Sequence, residues 1–74
     1  MMFDLSKDVL DFLKDLPPKQ SKQVTTKIHG LLRDPFPADA KHLAGYPGYR
    51  RIDSGEFRVC YTVNGDIILV VVAR

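Results

Sequence analysis

The chain has one cysteine, Cys60, so no internal disulfide can form. That thiol lies in an apolar run, where a buried structural role is the ordinary one, and a single cysteine suits a reducing cytosol. A cationic leader is lacking, because Met1-Met2-Phe3 runs straight into Asp4 and Ser6-Lys7-Asp8 follows. With no apolar stretch of membrane-spanning length and no lipidation motif, a soluble cytoplasmic protein with no membrane partner is expected. Excess charge is lacking too. Eleven basic against nine acidic residues leave a net charge of +2, too little to argue nucleic-acid binding from the total, so distribution must decide. His29 and His42 have no second cysteine or carboxylate at ligand spacing, which excludes a metal site of ordinary form. Phosphate loop, glycine-rich dinucleotide turn and GxSxG elbow are all missing, so neither cofactor nor triad chemistry is expected.

What is present is a short globular chain. Its 74 residues allow one domain, 1–74, and 45% hydrophobic against 27% charged residues is a composition that folds. A chain of this length buries only about 60% of its unfolded surface, so a deep enclosed cavity is not expected. Ser6 is placed to cap a helix, with Asp8 in the first turn where a negative charge suits the dipole. Val9, Leu10, Phe12, Leu13 and Leu16 follow at helical spacing, and Pro17 stops the run. Pro18 then opens a second helix whose apolar stripe is Val24, Ile28, Leu31 and Leu32, with Lys19, Lys22 and Lys27 on its wet side and Asp34-Pro35 at its end. Gly30, inside that helix, suggests close packing against another element.

From Asp34 to Gly48 the density of proline and glycine forbids regular structure over most of the stretch. The period then changes to two: Tyr49 to Asp53, Phe57 to Val63 and Asp66 to Ala73 read as three strands. Ser54-Gly55 separates the first pair, and Asn64-Gly65 predicts a type I′ hairpin between the last two. Met2-Phe3-Asp4-Leu5 alternates briefly and adds a short N-terminal strand. The expected fold is therefore α+β, an αα-hairpin packed on one face of a small antiparallel sheet, a three-stranded meander plus that strand. Alternation puts Phe57, Val59, Tyr61, Val63 and Ile52 toward the helices and Tyr49, Arg51, Asp53, Arg58, Cys60 and Thr62 away from them. The last strand, Ile67 to Val72, is apolar on both sides, which implies a further covering segment or a partner.

The cations worth weighing are Lys41, His42, Arg50, Arg51, Arg58 and Arg74, since guanidinium groups offer paired donors to phosphate oxygens and stay charged. Such a cluster can bind RNA and stabilise a pentacoordinate phosphorane. On the residues alone, solvated pairs are the favoured reading, Arg58 with Asp53 and Glu56 with Arg50 or Arg51. Tyr46 and Tyr49 can stack bases, yet tyrosines in a proline-rich loop more often clamp the loop to the sheet. Phe36 reads as a loop anchor and Cys60 as filler rather than a nucleophile.

Leu5-Ser6-Lys7, Leu16-Pro17-Pro18-Lys19, Leu31-Leu32-Arg33-Asp34-Pro35, Lys41-His42-Leu43-Ala44-Gly45 and above all Tyr49-Arg50-Arg51-Ile52-Asp53-Ser54-Gly55-Glu56-Phe57-Arg58-Val59-Cys60-Tyr61 carry a resemblance. Over nearly its whole length the chain resembles the RelE/ParE family of toxins from bacterial type II toxin–antitoxin systems. On the RelE side the resemblance implies a ribosome-dependent endonuclease that cleaves messenger RNA without a metal or small-molecule cofactor. The ribose 2′-hydroxyl attacks the adjacent phosphate, basic groups help remove its proton, and arginines stabilise the phosphorane. Arg58 matches the family's strand arginine, and Arg51, or Arg50 one register step away, matches the basic position on the preceding strand. The catalytic set implied is Arg51, Arg58 and Arg74, with Lys41 and Arg50 binding RNA. Asp53 stands where many relatives carry a second basic residue, a departure expected to quench the site. Relatives continue with a basic segment and a tyrosine that act in cleavage; Arg74 stands for the first and nothing for the second, so a weakened or inactive enzyme is expected. The partners implied are a cognate antitoxin, the ribosome and messenger RNA. The alternatives are a ParE-like toxin that inhibits DNA gyrase without catalysis, and an inert remnant that binds antitoxin.

Overall fold

The computed structural model describes residues 2–73, with the side chains of 72 and 73 left aside. Strand β1 (Met2–Leu5) leads into helix α1 (Lys7–Asp15) and helix α2 (Pro18–Arg33), and then come β2 (Lys41–His42), β3 (Tyr49–Ser54), β4 (Phe57–Asn64) and β5 (Ile67–Ala73). The Ser6 hydroxyl accepts from the Val9 N–H at 3.2 Å and so caps α1. Leu16, before Pro17, is extended, as the clash with a following proline ring requires. The Ser21 hydroxyl donates to the Leu13 carbonyl at 3.0 Å and ties the two helices at their junction.

The sheet has five strands in the order β1-β5-β4-β3-β2. Two features correct the expected antiparallel sheet. The short N-terminal strand exists, but it runs parallel to β5, with Phe3 beside Ile68 and Leu5 beside Val70, so the sheet is mixed. The proline-rich connector also contributes a strand, β2, whose Lys41 and His42 pair with Arg51 and Arg50. Both hairpins turn through a glycine first: Ser54 pairs with Phe57 around Gly55-Glu56, and Asn64 with Ile67 around Gly65-Asp66. Among the described residues only glycines have positive φ, +60° at Gly55 and +59° at Gly65. A type I′ turn needs positive φ at both central residues, so the expected Asn64-Gly65 turn gives way to a II′ pattern one residue later.

Placing β5 between β1 and β4 explains its apolar composition. Ile68 and Val70 are fully buried under the helices with Val9, Val24, Ile28, Leu31, Ile52, Val59 and Tyr61. Phe12 and Phe57 meet edge to face at the margin of this core, 5.5 Å between centroids. The Tyr61 hydroxyl donates to the Pro35 carbonyl at 2.8 Å, which anchors the connector to the sheet, and burial pushes this phenol's pKa up. The helical stripes are narrower than their spacing predicts, since Leu10 and Leu32 remain exposed. Gly30 is also exposed, and a Cβ there would meet nothing within 4 Å, so its expected close packing is absent. No described helix is long and apolar enough to cross a membrane.

Candidate functional site

The helix-free face of the sheet carries a cluster of charged side chains, and strand register decides which cations share it. Residues directly opposite one another on paired strands point to the same side. Lys41 lies opposite Arg51, and Arg51 opposite Cys60, giving one row across β2, β3 and β4. Two residues along β3, Asp53 lies opposite Arg58 in a second row on the same side. Ile52, between Arg51 and Asp53, is buried against the helices, which fixes the side on which the rows stand.

In these rows one carboxylate serves two cations. Asp53 Oδ1 is 3.8 Å from Arg51 Nη1 and 3.9 Å from Arg58 Nε, within ion-pair range and too far for good hydrogen bonds. The Arg58 side chain is 67% exposed and Arg51 only 23%. Arg51 Nη1 is buried with no hydrogen-bond partner, an orphaned donor on a charged group. Such an atom is costly unless something supplies an acceptor. Asp53 therefore stands where the sequence places a quencher, but it leaves donor capacity on both arginines unused.

Arg50 is not part of this cluster. Strand alternation turns it to the helix side, where its guanidinium carbon sits 4.4 Å from the centroid of the Phe36 ring. Phe36 is thus a loop anchor through a cation, and the pairing of Glu56 with Arg50 or Arg51 does not occur among the described ion pairs. Arg51, not Arg50, shares the side of the sheet on which Arg58 stands. Lys41 joins the row as an exposed side chain, and Arg74 lies outside the described residues. No group of three His, Cys, Asp or Glu side chains able to hold a metal occurs among the described residues.

Beside the Arg51 row is an uncharged groove of about 360 Å³ lined by Leu43, Tyr46, Tyr49, Cys60 and Val71. The loop that supplies its aromatic wall is held by backbone bonds from the Leu43 N–H to the Tyr49 carbonyl, from Tyr46 to Leu43 and from Tyr49 to Tyr46. The Thr62 hydroxyl adds a bond to the Gly48 carbonyl at 2.9 Å. Tyr46 and Tyr49 meet edge to face, 6.5 Å apart and 76° between planes. Tyr49 is partly covered, as a clamp would be, whereas Tyr46 is 62% exposed. Cys60 forms the floor. Burial raises its thiol pKa against the lowering pull of Arg51 and Arg58, so it stays a neutral thiol and not a nucleophile. Sequence reasoning named the tyrosines and missed the groove; the signal available was Tyr49, two residues before Arg51 on the same side of β3. A smaller cavity of about 110 Å³ lies on the helix side by Gly30, Leu31 and Ile52, and the Lys27–Asp39 pair, 2.6 Å apart, also lines it. That bond holds the Asp39 carboxyl below its usual range.

No protein-family model matches the sequence. The chain is 35% identical over 74 residues to a protein of Methanocaldococcus jannaschii that carries the provisional name toxin RelE1, covering 96% of this chain and 82% of that one. Its fold matches a chain of the intact Escherichia coli RelBE toxin–antitoxin complex with a TM-score of 0.82 at 22% identity, over 97% of this chain and 92% of the other. The archaeal RelE–RelB complex of Pyrococcus horikoshii OT3 gives 0.80 at 24%, over 99% and 90%. A RelB–RelE antitoxin–toxin complex from Methanococcus jannaschii gives 0.72 at 26%, over 95% and 86%.

Proposed function

The chain belongs to the RelE family of toxins of toxin–antitoxin systems, and from that premise we propose that it cleaves messenger RNA on the ribosome without a metal. The observation that carries this reading is the Arg51–Asp53–Arg58 cluster on the helix-free face, with Lys41 in the same row. In the proposed reaction a ribose 2′-hydroxyl attacks the adjacent phosphate, and charge accumulates on the non-bridging oxygens of the phosphorane. Arg58, which gives most of its surface to solvent, is free to donate to those oxygens. Arg51, mostly covered on β3, adds a second positive charge to the same face. Fixed donors aimed at developing charge stabilise a transition state more than a ground state, because they need not reorganise as the charge forms. The relatives named above are RelE toxins, and they do not favour a noncatalytic gyrase inhibitor.

An antitoxin is the second proposed partner. Relatives of this fold occur in complexes with RelB, and on the helix-free face Met2 and Ile67 lie side by side and exposed, with Leu69 and Val71 only partly covered. A segment with apolar side chains at alternate positions would cover that strip. The nuclease reading is tested by primer extension on a defined message in a purified translation system. Wild type should cut at the A-site codon, and Arg58→Ala should cut at least roughly a hundredfold more slowly, the usual cost of losing one preorganised donor. Its far-ultraviolet circular dichroism should be unchanged, because an exposed side chain is being removed. Equal cutting by the two proteins would take Arg58 out of the mechanism.

A further inference from the structure

The uncharged groove beside Arg51 has no role in the chemistry just described, and its make-up is specific. Its wall is aromatic, its floor is a neutral thiol, and none of Leu43, Tyr46, Tyr49, Cys60 and Val71 carries a charge. Its neighbour across one strand pairing is a guanidinium, since Cys60 lies opposite Arg51. We infer that this groove is a nucleobase site: one unpaired base of a single-stranded RNA stacks on Tyr46 while a phosphate of the same strand meets the positive charge of Arg51 and the exposed Arg58 guanidinium. The inference rests on the RNA-cleavage reading and deepens it by assigning the groove the choice of base next to the cut.

Several observations converge on a base. Tyr49 and Arg51 are two residues apart on one side of β3, about 7 Å along the strand, so groove and cation lie within the reach of a single nucleotide. Tyr46 presents an aromatic ring that is 62% exposed, on a loop already fixed by its backbone bonds. Stacking there would order little that is not ordered already, which is where binding affinity is usually lost. A base offers every lining ring a π face of its own, as single-stranded nucleic-acid sites use. An apolar protein side chain would fill the groove but bring no anion to the cations beside it; a nucleotide supplies a base for the groove and a phosphate for the exposed Arg58. The cavity volume falls within the range of small-ligand pockets and exceeds what one aliphatic side chain fills.

The test uses the whole chain, a fluorescein-labelled five-nucleotide RNA, and the same RNA with its central base deleted. Anisotropy titrations at one fixed salt concentration would compare wild type, Tyr46→Ala and Tyr46→Phe. Tyr46→Ala should weaken binding of the intact RNA roughly tenfold, the usual loss for one stacked base. Tyr46→Phe should bind like wild type. The base-deleted RNA should bind wild type about as weakly as intact RNA binds Tyr46→Ala, and Tyr46→Ala should not distinguish the two RNAs. Equal binding of intact RNA by wild type and Tyr46→Ala, or an unchanged base preference in the variant, would overturn the site. So would amide shifts at Leu43, Tyr46 and Val71 that respond to an apolar RelB-type peptide and not to RNA. The titration requires no cleavage, so base-dependent binding by a chain that leaves messages uncut in the translation assay supports the groove and removes the nuclease reading instead.

Discussion

Asp53 is the residue that most alters the site, and its effect has a definite sign. Its carboxylate lies within 4 Å of both arginines, so it competes with any phosphate for them and repels the phosphate as well. Asp53→Asn keeps the shape and removes the charge. Cleavage and RNA affinity should both rise, by up to roughly fivefold at 0.1 M salt, since an exposed ion pair is worth up to about 1 kcal/mol. Lower activity in Asp53→Asn would show instead that the carboxylate orients the arginines. The cluster itself was legible in the sequence, because alternation along β3 and β4 puts Arg51, Asp53 and Arg58 on one side. The same alternation separates Arg50 from Arg51. What alternation does not encode is where a loop residue points, so Tyr46 read as packing and stands in the open.

At the scale of elements, the helices and the three long strands announce themselves by their periods, and their ends by Ser6, Pro17, Gly55 and Gly65. Strand β2 has two residues and hence no period, and only its pairing with β3 makes it a strand. The parallel partnership of β1 is hidden for another reason: a four-residue alternation says that a strand exists and nothing about which edge it joins. Ser6 locks that joint. Its hydroxyl accepts from Val9 and donates to the Val71 carbonyl at 3.1 Å, while its N–H donates to the Val70 carbonyl. Ser6→Ala should cost about 1–2 kcal/mol, read as a lower urea midpoint with an unchanged slope. Ser6→Asp retains the cap without the donation, so it should recover only part of that loss; full recovery would mean that the bond to β5 contributes nothing.

For the whole molecule the margin is narrow. A chain of 74 residues has roughly 4–11 kcal/mol of stability at the usual 0.05–0.15 kcal/mol per residue. Leu31, 1% exposed at the centre of the single cluster, should lose about 2–5 kcal/mol on change to Ala, enough to unfold a large fraction of the protein at 37 °C. Thermal unfolding followed by circular dichroism would show it, and a melting temperature within a degree or two of wild type would contradict the central place of Leu31. Composition made such a small core foreseeable; the apolar strip left on the helix-free face was foreseeable too, from a last strand with no polar side. That strand also sets a timetable. β5 joins β1 to β4 and is translated after both, so a ribosome must deliver residues 67–73 before the sheet can close around its own beginning. Until then the helices have nothing complete to rest on, and the arginine face has no frame. The arginine face is therefore assembled late, once β5 has joined the strand that began the chain to β4.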